Sequence, residues 1–97
     1  MATYIVLGNF TDQGIRNVKD TTKRAEALKG QAEKVGAAIK ATYWTLGQYD
    51  VVAIVDAPDE ASVTALGLSL CGLGNVRTQT LRAFSPEEMG PILGKIS

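Results

Sequence analysis

The chain alternates between stretches with the apolar pattern of strands and stretches with that of helices. The run TYIVLGNF at 3–10 is rich in β-branched and aromatic residues and predicts a first strand. Beyond Thr11, a favourable helix cap, apolar residues recur every three or four positions as far as Gly36, a residue type that often follows a helix end. The predicted apolar stripe consists of Ile15, Val18, Ala25, Leu28, Ala32 and Val35. Asp20 offers a second cap, at which this segment would divide into a short helix and a longer one.

The next two predicted strands form a hairpin. They cover 37–46 and 49–57, and only Gly47 and Gln48 lie between them. Glycine at the first position of a two-residue loop is typical of a type II′ turn, whose twist suits antiparallel strands. The sequence therefore predicts a tight hairpin with Gly47 at its tip.

A second long helix and a fourth strand follow the hairpin. The helix begins near Pro58 and its acidic neighbours, and Gly72 or Gly74 ends it. Its predicted buried face consists of Val63, Leu66, Leu70 and Leu73. The run NVRTQTLRAF at 75–84 predicts the strand.

The segment SPEEM at 85–89 predicts a short C-terminal helix, because its serine and second glutamate have the spacing of a capping box. We expect Pro91 to end that helix. The element order is β-α-β-β-α-β plus this tail, in a single domain covering 1–97. It predicts an α+β, ferredoxin-like fold: a four-stranded antiparallel sheet of order 4-1-3-2 with both helices on one face.

The strands are apolar on both faces, although a sheet covered on one face should alternate between apolar and polar residues. Consecutive apolar residues fill YIVL at 4–7 and VVAIV at 51–55. We therefore expect the open face of the sheet to be covered by a second copy, giving a homodimer or higher homo-oligomer of the dimeric α/β-barrel type. The alternative is a single copy that tolerates apolar residues on its surface.

Composition excludes several kinds of site. The chain contains no histidine, which removes the commonest general base and metal ligand, and no metal site or cofactor is expected. The net charge is zero, which argues against nucleic-acid and membrane partners. One cysteine excludes an internal disulfide and fits a reducing, cytoplasmic setting.

A polar cluster is predicted at one edge of the sheet, where strand 1 ends, strands 3 and 4 begin and the first helix starts. The candidate ligand-binding residues there are Asn9, Thr11, Gln13, Trp44, Tyr49, Asp50 and Arg77. Arg77 would clamp a carboxylate or stack on an aromatic ring, and Asp50 is the only candidate catalytic base. The alternative is structural: the Tyr49 ring packs and the Asp50 carboxylate binds turn amides.

Three segments, NFTDQGIRNVKDTTKRAEA, LGQYDVVAIVDAPDE and GNVRTQTLRAF, resemble the GYD-domain family of small bacterial and archaeal proteins. The resemblance covers about residues 2–95. The Gly-Tyr-Asp motif of the family corresponds to Gly47, Tyr49 and Asp50, with Gln48 inserted. The resemblance implies a ferredoxin-like, dimeric α/β-barrel fold and supplies no agreed activity.

Three functions remain compatible with the sequence. The first is a homo-oligomeric protein that binds a small organic ligand between helices and sheet, near Tyr49, Asp50 and Arg77. The second is a cofactor-independent enzyme of oxygenase or isomerase type, acting on a small aromatic or carbonyl compound. The third is a structural or assembly module with no small-molecule site.

Overall fold

The computed structural model describes residues 1–97, which form four strands and four helices. A single 3₁₀ turn, Val18–Asp20, joins the first two helices. The elements in chain order are β1 (Ala2–Phe10), α1 (Asp12–Arg16), α2 (Thr21–Lys34), β2 (Ala38–Trp44), β3 (Val51–Ala57), α3 (Glu60–Gly72), β4 (Val76–Ala83) and α4 (Pro86–Leu93).

The four strands form one sheet in the order β2-β3-β1-β4, and every neighbouring pair is antiparallel. This is the predicted 4-1-3-2 order, seen from the other edge. In the centre of the sheet, Tyr4 of β1 lies opposite Val55 of β3 and Arg82 of β4. The α+β class and the antiparallel sheet are thus confirmed.

One face of the sheet packs against α2 and α3 and contains the core. The buried cluster combines sheet residues of this face with helix residues, and its members are Tyr4, Ala32, Ala37, Val55, Ala57, Val63 and Leu66. Residues at alternate positions of a strand point to opposite faces. The other face therefore carries the side chains between the core positions, and α2 and α3 leave it uncovered.

That uncovered face, here called the open face, is apolar at its centre. Strand register places on it Ile5, Leu7, Val52, Ile54 and Leu81, with Tyr43 beside them. Tyr43 is 60% exposed and Leu81 39% exposed. The prediction that both faces are apolar is therefore confirmed for the strands of a single copy.

Helix ends follow the predicted capping residues. Thr11 Oγ1 accepts a hydrogen bond from the Gly14 amide at 3.1 Å, and Gly36 adopts a φ of 76° beyond the end of α2. The Ala37 amide then donates to Ala32 O at 2.9 Å, which closes a Schellman motif. The first long helical segment does divide before Thr21, but the Asp20 side chain makes no capping bond.

The capping box of α4 is confirmed by reciprocal bonds of 3.1 Å between Ser85 and Glu88. The Ser85 amide, and then the Arg82 side chain, hold the pKa of the Glu88 carboxyl below its usual value of 4.5. The prediction that Pro91 ends this helix is wrong, because α4 continues to Leu93. Backbone bonds from Met89 to Ser85 and from Gly94 to Gly90 hold the helix on either side of the proline.

The predicted two-residue hairpin loop is also wrong. The last pair between β2 and β3 is Trp44 with Val51, so six residues connect the two strands. Gly47 has a φ of 103° within this longer loop, and the Thr45 amide donates to Asp50 O at 2.9 Å. The Asp50 amide and carboxylate also bond to the end of β1, so Asp50 is held by β1 as well as by Thr45, and the turn is made by the residues between Thr45 and Asp50.

Three residues of the predicted buried faces are exposed. Ile15 and Val18 are 56% and 38% exposed, because the 3₁₀ turn changes the helical phase before α2 begins. Leu73 is 66% exposed at the end of α3. None of the four helices combines the length and apolar character required to cross a membrane.

Candidate functional site

A cavity of about 480 Å³ lies between α2, α3 and the sheet. Its volume falls within the range of about 300–1,000 Å³ that is usual for small-molecule sites. Fourteen of its 23 lining residues are hydrophobic, so the cavity suits a largely apolar ligand. The residues that line it are Val6, Gly8, Phe10, Thr21, Arg24, Ala25, Ala27, Leu28, Gln31, Thr42, Trp44, Val51, Ala53, Val55, Val63, Leu66, Gly67, Ser69, Leu70, Leu73, Asn75, Val76 and Thr78.

The cavity exists because small residues occupy the positions where α3 and the central strands face each other. Gly8 on β1 has no room for a side chain, since a Cβ there would lie 2.8 Å from Val51 Cγ1. Gly67 on α3 is different: a Cβ there would meet only Thr78 Oγ1, at 4.0 Å. Ala53 lines the cavity from β3, on the other side of β1 from β4. A large apolar side chain at Gly67 would extend into this layer, and its absence leaves free space there.

Polar groups gather at the first turn of α2. Trp44 Nε1 donates to Thr21 Oγ1 at 3.0 Å, which connects β2 to the start of this helix. Arg24 Nη1 donates to Asn17 O at 2.8 Å. Arg24 Nη2 is buried and has no hydrogen-bond partner. Arg24 is also the only charged residue among those that line the cavity.

The polar residues predicted from the sequence lie toward one end of the sheet, and most of their side chains bond to backbone groups or to side chains outside the predicted set. The Phe10 amide donates to Asp50 Oδ2 at 2.9 Å, and Asn9 Nδ2 donates to Gln48 O at 2.7 Å. Tyr49 Oη donates to Gln79 Oε1 at 3.2 Å. These bonds tie the hairpin loop to β1 and β4, and the Asp50 carboxylate accepts from the end of β1 rather than from a turn amide.

Thr11 and Gln13 join α1 to the segment before β4. Thr11 Oγ1 donates to Gly74 O, and Gln13 Nε2 donates to Leu73 O at 3.0 Å and to Asn75 Oδ1 at 3.1 Å. Gly14 packs so closely here that a Cβ would lie 1.9 Å from Asn75 O. These side chains therefore fix a junction between two segments that are distant in sequence.

Of the seven residues predicted to bind a ligand, only Trp44 lines the cavity. Arg77 lies opposite Asn9 in the register of β1 and β4, on the open face. The sequence patterns did not single out Arg24, although a signal was present. The residues of α2 at positions 21, 24, 28 and 31 recur at helical spacing and line the cavity. Two of them, Arg24 and Gln31, are long polar residues, whereas a purely structural stripe would be apolar.

No three carboxylates or thiols cluster anywhere in the chain in a way that would hold a metal ion. The single thiol, Cys71, lies 3.3 Å from Thr78 Oγ1 and is partly buried. The chemistry that the cavity itself offers is thus an apolar surface, a few hydrogen-bonding groups and one guanidinium.

Comparison with known proteins places this architecture in a family. A sequence model of the GYD domain matches residues 4–93, nearly the whole chain. The chain belongs to the GYD-domain family. A curated Thermus thermophilus protein, named "Glutamine synthetase and cystathionine beta-lyase binding protein", is 37% identical over 85 residues, which are 87% of this chain and 90% of that protein.

A solved structure also resembles this GYD-domain chain. The crystal structure of TTHA0845 from Thermus thermophilus superposes with a TM-score of 0.57 and 26% sequence identity. The alignment covers 88% of this chain and 95% of TTHA0845. Gly47, Tyr49 and Asp50 lie in the loop between β2 and β3, and Asp50 bonds this loop to β1.

Proposed function

We propose that this GYD-domain protein binds a small organic ligand in the cavity between α2, α3 and the sheet. The observation that carries the proposal is the cavity itself, because a hollow apolar layer forgoes packing energy that the sequence could have gained with larger side chains. The enzyme alternative has less support, since Asp50 is bonded to the Phe10 amide and lies outside the cavity.

Cavity filling tests this proposal. Gly67→Leu would project a side chain into the cavity, whereas Gly72→Leu on the same helix meets nothing within 4 Å and lies outside the lining. Each substitution should also favour the helix by about 0.8 kcal/mol. Binding is measured with the neutral fluorescent probe N-phenyl-1-naphthylamine and with the emission of Trp44, the only tryptophan.

The expected result is that Gly67→Leu weakens probe binding by about tenfold or more without lowering the melting temperature. Gly72→Leu should bind the probe as the unmodified protein does. Equal binding by the two variants would show that the probe occupies another surface, and the proposal would then be wrong.

We further propose that two copies associate through the open face, as a ferredoxin-like, dimeric α/β barrel. Support comes from the apolar centre of that face, where Ile5, Ile54 and Leu81 are neighbours in the strand register. Ile54→Glu should give a monomer in sedimentation experiments. Leu68 is 69% exposed on the outer side of α3, so Leu68→Glu should leave the dimer intact. A monomeric unmodified protein at high micromolar concentration would contradict the dimer.

The lone cysteine supports a cytoplasmic setting for this protein.

A second candidate function is binding to other enzymes. It rests on the 37% identity to the Thermus protein whose name states that it binds glutamine synthetase and cystathionine beta-lyase. Biolayer interferometry with each purified enzyme tests it directly, using the Ile54→Glu variant to ask whether the open face is involved. Absence of binding to both enzymes, under conditions where the Thermus protein binds them, would remove this candidate.

A further inference from the structure

Arg24 is the only charge that lines the cavity, and the cavity contains no acid to balance it. The ion pairs of the chain are Lys29 with Glu26 and Arg82 with Glu88, and neither involves Arg24. The only hydrogen bond of its guanidinium goes to Asn17 O, from Nη1. The buried Nη2 therefore has hydrogen-bonding capacity that the chain itself does not use.

This placement is costly for the protein alone. A buried donor without a partner loses its hydration and gains no bond in exchange, and the loss is greater for a charged group. Arg24 also occupies the fourth position of α2, near the positive end of the helix dipole, where a cation is disfavoured. The first turn of α2 has no acidic residue, and the Asp20 side chain makes no capping bond. The start of α2 is thus a positive region beside an apolar cavity.

We propose that the ligand of this cavity is an organic carboxylate with an apolar body, and that Arg24 pairs with the carboxylate. The inference rests on the proposed ligand-binding function and adds the class of ligand. A planar guanidinium binds a carboxylate through two parallel hydrogen bonds, and Arg24 Nη2 carries donors that no group of the chain accepts. The apolar body lies over Gly67 and Ala53, and the Trp44 ring lies beside the carboxylate end because Trp44 bonds Thr21, one turn before Arg24.

The test compares 2-naphthoate with 2-naphthamide, which share a ring system and differ in charge. Dissociation constants are obtained from displacement of N-phenyl-1-naphthylamine, whose own binding tests the cavity. In the unmodified protein the carboxylate is expected to bind at least about tenfold more tightly than the amide. Equal displacement by the two compounds, or displacement by neither, would overturn the inference while leaving the cavity function standing. Failure of the probe to bind would remove the function itself.

Variants of α2 assign the preference to a residue. Arg24→Met keeps much of the side-chain length without the charge, and it should abolish the preference for the carboxylate while changing amide affinity by less than about threefold. Arg24→Lys should retain part of the preference. Lys23→Met removes an equal charge from the neighbouring, exposed position and should leave the preference unchanged. If Lys23→Met reduces the preference as much as Arg24→Met does, general charge attraction explains it and the pairing with Arg24 is wrong.

Discussion

The layer between the helices and the sheet has two ends that differ in packing. At one end, here called the closed end, Tyr4 and Ala57 pack with Ala32 and Ala37, and each of these residues is at most 5% exposed. At the other, here called the cavity end, the same strands and helices border about 480 Å³ of free space that is open to the surface. Strand pairing extends through both ends, with one irregularity between Ile39 and Ala41 of β2, and the difference between the ends follows from side-chain size.

This contrast teaches that one layer serves two purposes. The closed end supplies the close packing that stabilises the fold, and the cavity end gives up part of that packing. A polar rim, in which Asp50 bonds Phe10 and Thr11 bonds Gly74, holds the strands together at the cavity end without filling its interior. We therefore expect stability to depend on the closed end and the rim, and ligand binding to depend on the cavity lining.

The largest effect is expected at the closed end. Tyr4 is 4% exposed within the core cluster, so Tyr4→Ala should lower the free energy of unfolding by about 3–5 kcal/mol, as for other buried aromatic residues. Leu73 lies at the edge of the cavity and is 66% exposed, so Leu73→Ala should change the free energy of unfolding by less than about 0.5 kcal/mol. Urea unfolding measures both values. Similar losses in the two variants would mean that the two ends are packed alike.

A slightly smaller loss of stability is expected at the junction between α1 and the segment before β4. Gly14→Ala would place a Cβ 1.9 Å from Asn75 O, a backbone atom that cannot rotate away. We expect a loss of about 3 kcal/mol, the upper part of the usual range for overpacking. A Cβ on Gly30 of α2 would meet nothing within 4 Å, so Gly30→Ala should be neutral or stabilising. Urea unfolding measures the stability of both variants. An unaffected Gly14→Ala protein would show that the junction can yield.

The rim should give an intermediate effect on stability and none on binding. Asp50→Ala removes the acceptor of the Phe10 amide bond, which should cost about 2 kcal/mol. Affinity for the naphthylamine probe should stay within about twofold, because Asp50 does not line the cavity. Glu33→Ala, at an exposed position of α2, is the matched control for loss of a carboxylate. A stable Asp50→Ala protein that no longer binds the probe would return Asp50 to the ligand site.

The smallest effect concerns pH and the start of α3, next to the closed end. Hydrogen bonds from the Ser62 side chain and amide hold the pKa of the Asp59 carboxyl below its usual value of 3.8. Folding therefore favours the ionised form, and the associated stability is present above pH 3.8 and is lost as the pH falls through the lowered pKa. The stability difference between the unmodified protein and Asp59→Asn should accordingly shrink between about pH 6 and pH 2 in urea titrations. A difference independent of pH would contradict this role of the Asp59 charge.

Much of the fold was predictable because it depends on local patterns. The strand at 3–10, the caps at Thr11 and Ser85 and the glycine after α2 are each specified by a few neighbouring residues. The predicted hairpin loop was too short, since strand pairing ends at Trp44 and Val51, and Asp50 also bonds to β1, a partner about 40 residues away that no local turn rule includes. Ile15 was wrongly assigned to the buried stripe, because the 3₁₀ turn interrupts the helical phase between α1 and α2.

The candidate site was less predictable than the fold. The side chains of the predicted polar residues are largely engaged with backbone groups and with residues outside the predicted set, and Trp44 alone borders the cavity. A cavity is the space that side chains from several elements fail to fill, so it has no signature in any one segment. Arg24 shows the same limit, because its significance depends on what surrounds its guanidinium.

The amino-acid sequence by itself determined the element order, the antiparallel sheet and its two apolar faces, since these follow from periodicity, capping residues and chain connectivity. Tertiary structure alone decided which positions on the helix-covered face meet closely and which leave a cavity. The physical reason is that burial is a property of contacts between distant segments. Gly67 and Arg24 became informative only once α2 and α3 were placed over the sheet.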